Sequence, residues 1–277
     1  MRSNNPAFSR NEAFARNGRA TFDVATPTAD QLQYQYGMPS VVQERSMTLE
    51  DVVTRTGVMF AVLLATAVPL FFGMTTGAIG FGTGMLLTVA GAILGFVLAM
   101  VVSFSKTVRP PLMLAYAALE GLFVGGISAF YAVTFAGDSA FGGSLIPQAV
   151  MGTLAAFAAM LFAYRSGLIR ATGRFKKILI IATLGYLAVG LINFVMVAFF
   201  DSPSMFFDSG LLGVGLSLIG VTLASLFLVL DFDFIEQGIR NQLPQKFAWT
   251  AAFGLVVTLV WLYLEMLRLL AILRGGD

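Results

Sequence analysis

An all-α membrane protein, a bundle of seven transmembrane helices, is the fold class this sequence predicts. Three observations predict it. Of the 277 residues only 12% are charged and 57% are hydrophobic, whereas a soluble domain carries about a quarter charged residues. Seven apolar stretches are each long enough to cross about 30 Å of hydrocarbon. The connections between them alternate between basic and acidic. Apolar runs of this length cross lipid as helices, because a helix satisfies its backbone hydrogen bonds internally.

The chain opens with a polar stretch, residues 1–47, rich in Asn, Ser, Thr and Gln. It has too few apolar side chains to fold alone and reads as a disordered tail. "TLED" at 48–51 marks a helix start, with Thr48 as N-cap and acids in the first turn. The first span covers about 56–75 and the second about 80–104, Gly-rich at first. The third, about 110–135, opens on Pro110-Pro111, which suit a helix N-terminus. The fourth covers about 146–165, the fifth about 176–200, the sixth about 209–237 and the seventh about 247–273. The transmembrane domain as a whole is 48–277. The first apolar run lies too far in for a cleavable leader.

Orientation follows from the positive-inside rule. Lys106 and Arg109 follow span two. Arg165, Arg170, Arg174, Lys176 and Lys177 cluster after span four, and Arg240 and Lys246 after span six. The other connections hold only Asp138, Asp201 and Asp208. The expected topology has a cytoplasmic amino terminus and an external carboxyl terminus, with Arg274 as a small exception.

Composition excludes much chemistry. With no Cys and no His there is no thiolate, no disulfide and no imidazole base. No nucleophile–base motif or phosphate loop is visible, so the chain does not read as an enzyme and no cofactor is implied. The basic residues sit in short juxtamembrane loops, which gives no nucleic-acid surface.

What remains are acids inside or at the edge of apolar spans: Glu120 in span three, Asp231 in span six and Glu265 in span seven. Such carboxylates cost a few kcal/mol in the bilayer and face a bundle interior or a wet cavity, which makes each a functional candidate. Glu265 and Arg268 share a helix face three residues apart, so a plain ion pair stands beside the functional reading. Asp233 and Glu236 fit a solvated helix end. Arg109 fits a positive-inside anchor. Tyr186 and Asn193 fit interhelical hydrogen bonding, and Gly121 with Gly125 fits helix packing.

"LASLFLVLDFDFI" followed by "LVWLYLEMLRLL" resembles the last two helices of the Bax inhibitor family, the transmembrane Bax inhibitor motif family. "AVGLINFV" is similar to its fifth helix. "MTLEDVVTRTGVMF" and "LEGLFVGGISAFY" look like a bacterial branch with a long N-terminal tail. The resemblance covers roughly 48–273. It implies six helices around a central apolar seventh, in the bacterial inner membrane, and a pH-sensitive calcium leak channel. Ca²⁺ is then the permeant ion. By motif, the proton-sharing acids are Asp231 and Glu265, with Asp231 a candidate Ca²⁺ ligand. Arg109 is the nearest match to the family's Arg latch. Two close carboxylates cannot both ionise cheaply, so such a pair titrates as a unit. Asp233 and Glu236 would then draw cations to the cytoplasmic mouth.

Two departures bear on this. The second acid is Glu where the family has Asp. The stretch between Asp231 and Glu265 is also about ten residues longer than the pattern. On straight helices that separates the two acids by roughly 20 Å along the axis. Either "NQLPQKFAWTAAF" is partly interfacial and lowers span seven, or the acids do not meet. A different class of function is a non-conducting regulator of a membrane AAA protease or another membrane complex, read through the tail. An intramembrane enzyme centred on Glu120 is the third and weakest reading.

Overall fold

Each apolar stretch is a single helix in the computed structural model, which describes residues 45–135, 145–200, 203–205 and 210–274. The helices are α1 (Leu49–Thr75), α2 (Phe81–Phe104), α3 (Pro110–Phe135), α4 (Leu145–Arg165), α5 (Gly173–Phe200), α6 (Leu211–Arg240) and α7 (Phe247–Arg274). All seven are long and apolar enough to cross a membrane. No strand occurs among the described residues.

The start of α1 is fixed locally. Thr48 Oγ1 accepts the Asp51 backbone N–H, and Asp51 Oδ2 accepts the Thr48 backbone N–H at 3.1 Å. This reciprocal cap satisfies donors that a bare helix end leaves open. It also carries α1 two turns beyond the apolar run that begins near Gly57.

Residues 1–44, most of the stretch read as a tail, lie outside the described residues. Residues 45–47 are ordered, which moves that boundary. Met47 N donates to Leu243 O at 2.8 Å, and Gln245 N donates to Arg45 O at 2.8 Å. Asp51 accepts the Gln245 side-chain amide at 2.7 Å, and Arg55 donates to Gln245 O at 2.8 Å. The α6–α7 turn is thereby clasped to the start of α1. α7 begins at Phe247 directly after this turn, so "FAWTAAF" already forms its first turns.

α7 is the hub. It packs on α1, α3, α4 and α6. The expected ring of six is incomplete, because α2 packs on α3 and α1, and α5 packs on α6. Small residues set the closest contacts. A Cβ on Gly121 would lie 2.2 Å from Leu63 O, and one on Gly125 would lie 2.3 Å from Ala67 O. α1 and α3 therefore touch backbone to backbone, as transmembrane helices do through small residues. Thr66 Oγ1 adds an interhelical bond to Ala118 O at 2.9 Å.

Candidate functional site

The seam between α6 and α7 holds the candidate site. On α6 its stripe runs Gly213, Ser217, Gly220, Ala224, Leu228, Asp231, Ile235 and Gly238, spaced by three or four residues so that one face stays inward. α7 presents Ala251, Gly254, Thr258, Glu265 and Arg268 to it.

Glu265 sits at one level of this seam, fully enclosed. Tyr186 on α5 donates its hydroxyl to Glu265 Oε1 at 2.8 Å, and Trp261 Nε1 donates to the same oxygen at 3.1 Å. Arg268 pairs with Glu265 Oε2. The same guanidinium donates to Tyr186 Oη at 2.6 Å and to Ser217 Oγ at 3.1 Å. Gly220 makes the room: a Cβ there would lie 2.5 Å from Glu265 Oε2 and from Tyr186 Oη. Three helices thus converge on one buried, charge-balanced knot. Glu265 and Arg268 were legible as neighbours on one face. Ser217, Gly220 and Trp261 were missed as members, and the one available signal was their spacing along the α6 and α7 stripes.

Asp231 sits at another level. Its Oδ1 lies beside Gly254, 3.4 Å from where a Cβ would stand, with the Thr258 hydroxyl as a polar neighbour. Its Oδ2 is buried and has no hydrogen-bond partner among the described residues. Gly220 and Asp231 are eleven residues apart on one face of α6, a rise of about 16 Å at 1.5 Å per residue. Asp231 and Glu265 are therefore not brought together as a proton-sharing pair. Fully buried Ala224, Leu228 and Leu262 fill the seam between them. The cause is the short six-residue turn at 241–246, which lets α7 rise straight from its start.

The other candidates fall elsewhere. Arg109 is exposed in the α2–α3 turn, and its Nε donates to Thr107 Oγ1 at 3.1 Å. It does not latch the acids, and the cation on Glu265 is Arg268 instead. Glu120 faces α2, with Oε2 placed 3.4 Å from a Cβ on Gly95 and Tyr116 beside it. Asp233 accepts Lys176 of α5 at 2.5 Å and Gln237 at 2.6 Å, so it is a clasp rather than an open carboxylate. Glu236 accepts Tyr164 at 2.6 Å and Arg240 at 2.8 Å. Tyr186 is interhelical as expected, whereas Asn193 bonds Ser204 and the Met205 N–H beyond its own helix.

Among the described residues no three acids gather to hold a metal ion. Ca²⁺ takes six to eight oxygens, of which the Asp231 carboxylate could supply at most two. A lone buried carboxylate beside a hydroxyl is suited to a passing cation or a proton.

A family profile described as Bax inhibitor 1 like matches residues 5–275. The chain belongs to that family. The match takes in all seven helices and both acids of the seam, and it carries the resemblance read over roughly 48–273 further toward the amino terminus. Among curated proteins none matches it in sequence.

Proposed function

We propose that this Bax inhibitor family protein is a pH-dependent cation leak of the bacterial inner membrane, passing Ca²⁺, with Asp231 as its proton-sensitive group. The observation that carries this reading is the Asp231 carboxylate in the seam, its Oδ2 buried with no hydrogen-bond partner and no cation bonded to it among the described residues. Ionised, Asp231 offers a hard oxygen ligand and a negative charge in a low-dielectric seam, both of which favour a cation. Protonated, it offers neither. The sign follows: flux rises as pH rises through the ionisation of Asp231 and falls on acidification.

The seam is closed above Asp231 by Ala224, Leu228 and Leu262. A dry apolar constriction of this kind blocks ions by excluding water. Opening then requires α6 to shift against α7. The Glu265–Arg268–Tyr186 knot opposes that shift by tying α5, α6 and α7 together. In this reading the two acids divide the work: Asp231 senses protons and meets the ion, and Glu265 holds the seam shut. The amino terminus faces the cytoplasm, because the basic connections lie at the end where α1 begins.

The test is Ca²⁺ flux into proteoliposomes. Asp231→Asn is expected to remove the pH dependence, and Leu228→Ala to raise flux at every pH. A folded protein with no flux above empty liposomes would favour the regulator of a membrane protease or other complex.

A further inference from the structure

Between α1 and α4 the bundle is open along its side. The opening is a cavity of about 1020 Å³, at the upper end of the roughly 300–1,000 Å³ of ligand pockets. α7 and α3 form its floor through Leu255, Leu259, Val260, Tyr263 and Val124. Its walls are bulky: Leu64, Val68 and Phe71 of α1 face Val150, Leu154 and Phe157 of α4. The lining runs along α1 from Leu49 to Phe71. That is about 33 Å of helix, against about 30 Å of hydrocarbon in a bilayer.

The mouth at the basic end is lined by Tyr164, Arg165 and Glu236. Glu236 is taken up by Tyr164 and Arg240, while Arg165 is exposed at the last turn of α4. Inside the cavity, Thr56 is nine-tenths buried, and its hydroxyl has no hydrogen-bond partner among the described residues.

Two occupants compete for such a groove. A second transmembrane helix needs small residues at the contact so that backbones can approach. Apart from Thr56, the small residues here are already used: Gly125 is packed on Ala67, Gly152 faces Met266 of α7, Ser128 is hydrogen-bonded to Tyr263, and Thr153 donates to Ala149 O. The side chains left facing the cavity suit a flexible hydrocarbon chain. An arginine beside a lateral opening at the basic end suits a phosphate. We propose that this groove binds one phospholipid, its acyl chain lying along α1 and α4 on the α7 floor and its phosphate on Arg165.

Native mass spectrometry of the full chain in detergent tests this, by titration with dioleoyl phosphatidylglycerol, dioleoylglycerol and inorganic phosphate. One phosphatidylglycerol is expected to bind saturably per chain, with dioleoylglycerol at least about tenfold weaker and inorganic phosphate not retained. Arg165→Gln should remove the preference for the phospholipid over dioleoylglycerol. Leu154→Trp should fill the groove and reduce binding of both, and Val150→Trp on the exposed rim serves the same purpose if that variant does not fold. Adducts that accumulate without saturation would overturn the proposal. So would equal binding of the two lipids to the native chain, or unchanged binding in folded groove-filled variants.

Discussion

Glu265 and Arg268 lie buried beside each other, and removing either leaves the other as an uncompensated charge. Breaking a buried pair from one side costs about 3–5 kcal/mol, while replacing both partners is far milder. Glu265→Gln and Arg268→Gln are each expected to lower the melting temperature sharply in detergent, and the double variant to recover much of the loss. Independent, additive losses would show that the pair is not coupled. Gly220→Ala should act through the same knot, since its Cβ would lie 2.5 Å from Glu265 Oε2 and Tyr186 Oη; a loss of about 1–3 kcal/mol is expected. At this scale the sequence showed that Glu265 and Arg268 share a face. It did not show that Ser217 and Tyr186 complete the knot, because those partners lie 51 and 82 residues from Arg268 in the chain.

α5 is the helix most lightly attached. Only Leu179, Tyr186 and Asn193, seven residues apart, are buried along its length. Its clasps are polar: Lys176 on Asp233 at the basic end and Tyr186 on the knot. The Lys176–Asp233 pair is partly solvated, with side-chain exposures of 38% and 17%, so its contribution is of order 1 kcal/mol or less. Lys176→Gln should therefore barely move the melting temperature and instead speed hydrogen exchange in the first turns of α5. Exchange unchanged there would mean that apolar packing alone holds the helix. α1 and α3 show the opposite case, since Gly121→Leu would drive a side chain into Leu63 O and Thr66 Oγ1 and should prevent folding. The apolar runs made seven helices legible because span length and backbone satisfaction leave no other option. The partner of each helix was less legible, because lipid-facing and bundle-facing residues here are equally apolar.

For the whole molecule, the separation of Asp231 from Glu265 decides which form of the proposed leak the bundle can carry. Length alone exposed the problem: the 33 residues between the two acids hold the end of α6, a six-residue turn and most of α7. The motif match suggested a shared proton, and the helix geometry gives two acids at two levels with Ala224, Leu228 and Leu262 between them. A leak controlled from Asp231 needs no carboxylate pair, only a site that binds a cation when ionised and loses it when protonated. Ca²⁺ flux into proteoliposomes, followed from about pH 6 to about pH 8 for the native chain beside Asp231→Asn, tests this most directly. Flux that rises with pH in the native chain and is flat in Asp231→Asn is the predicted result. Flux with the same pH dependence in both would contradict it.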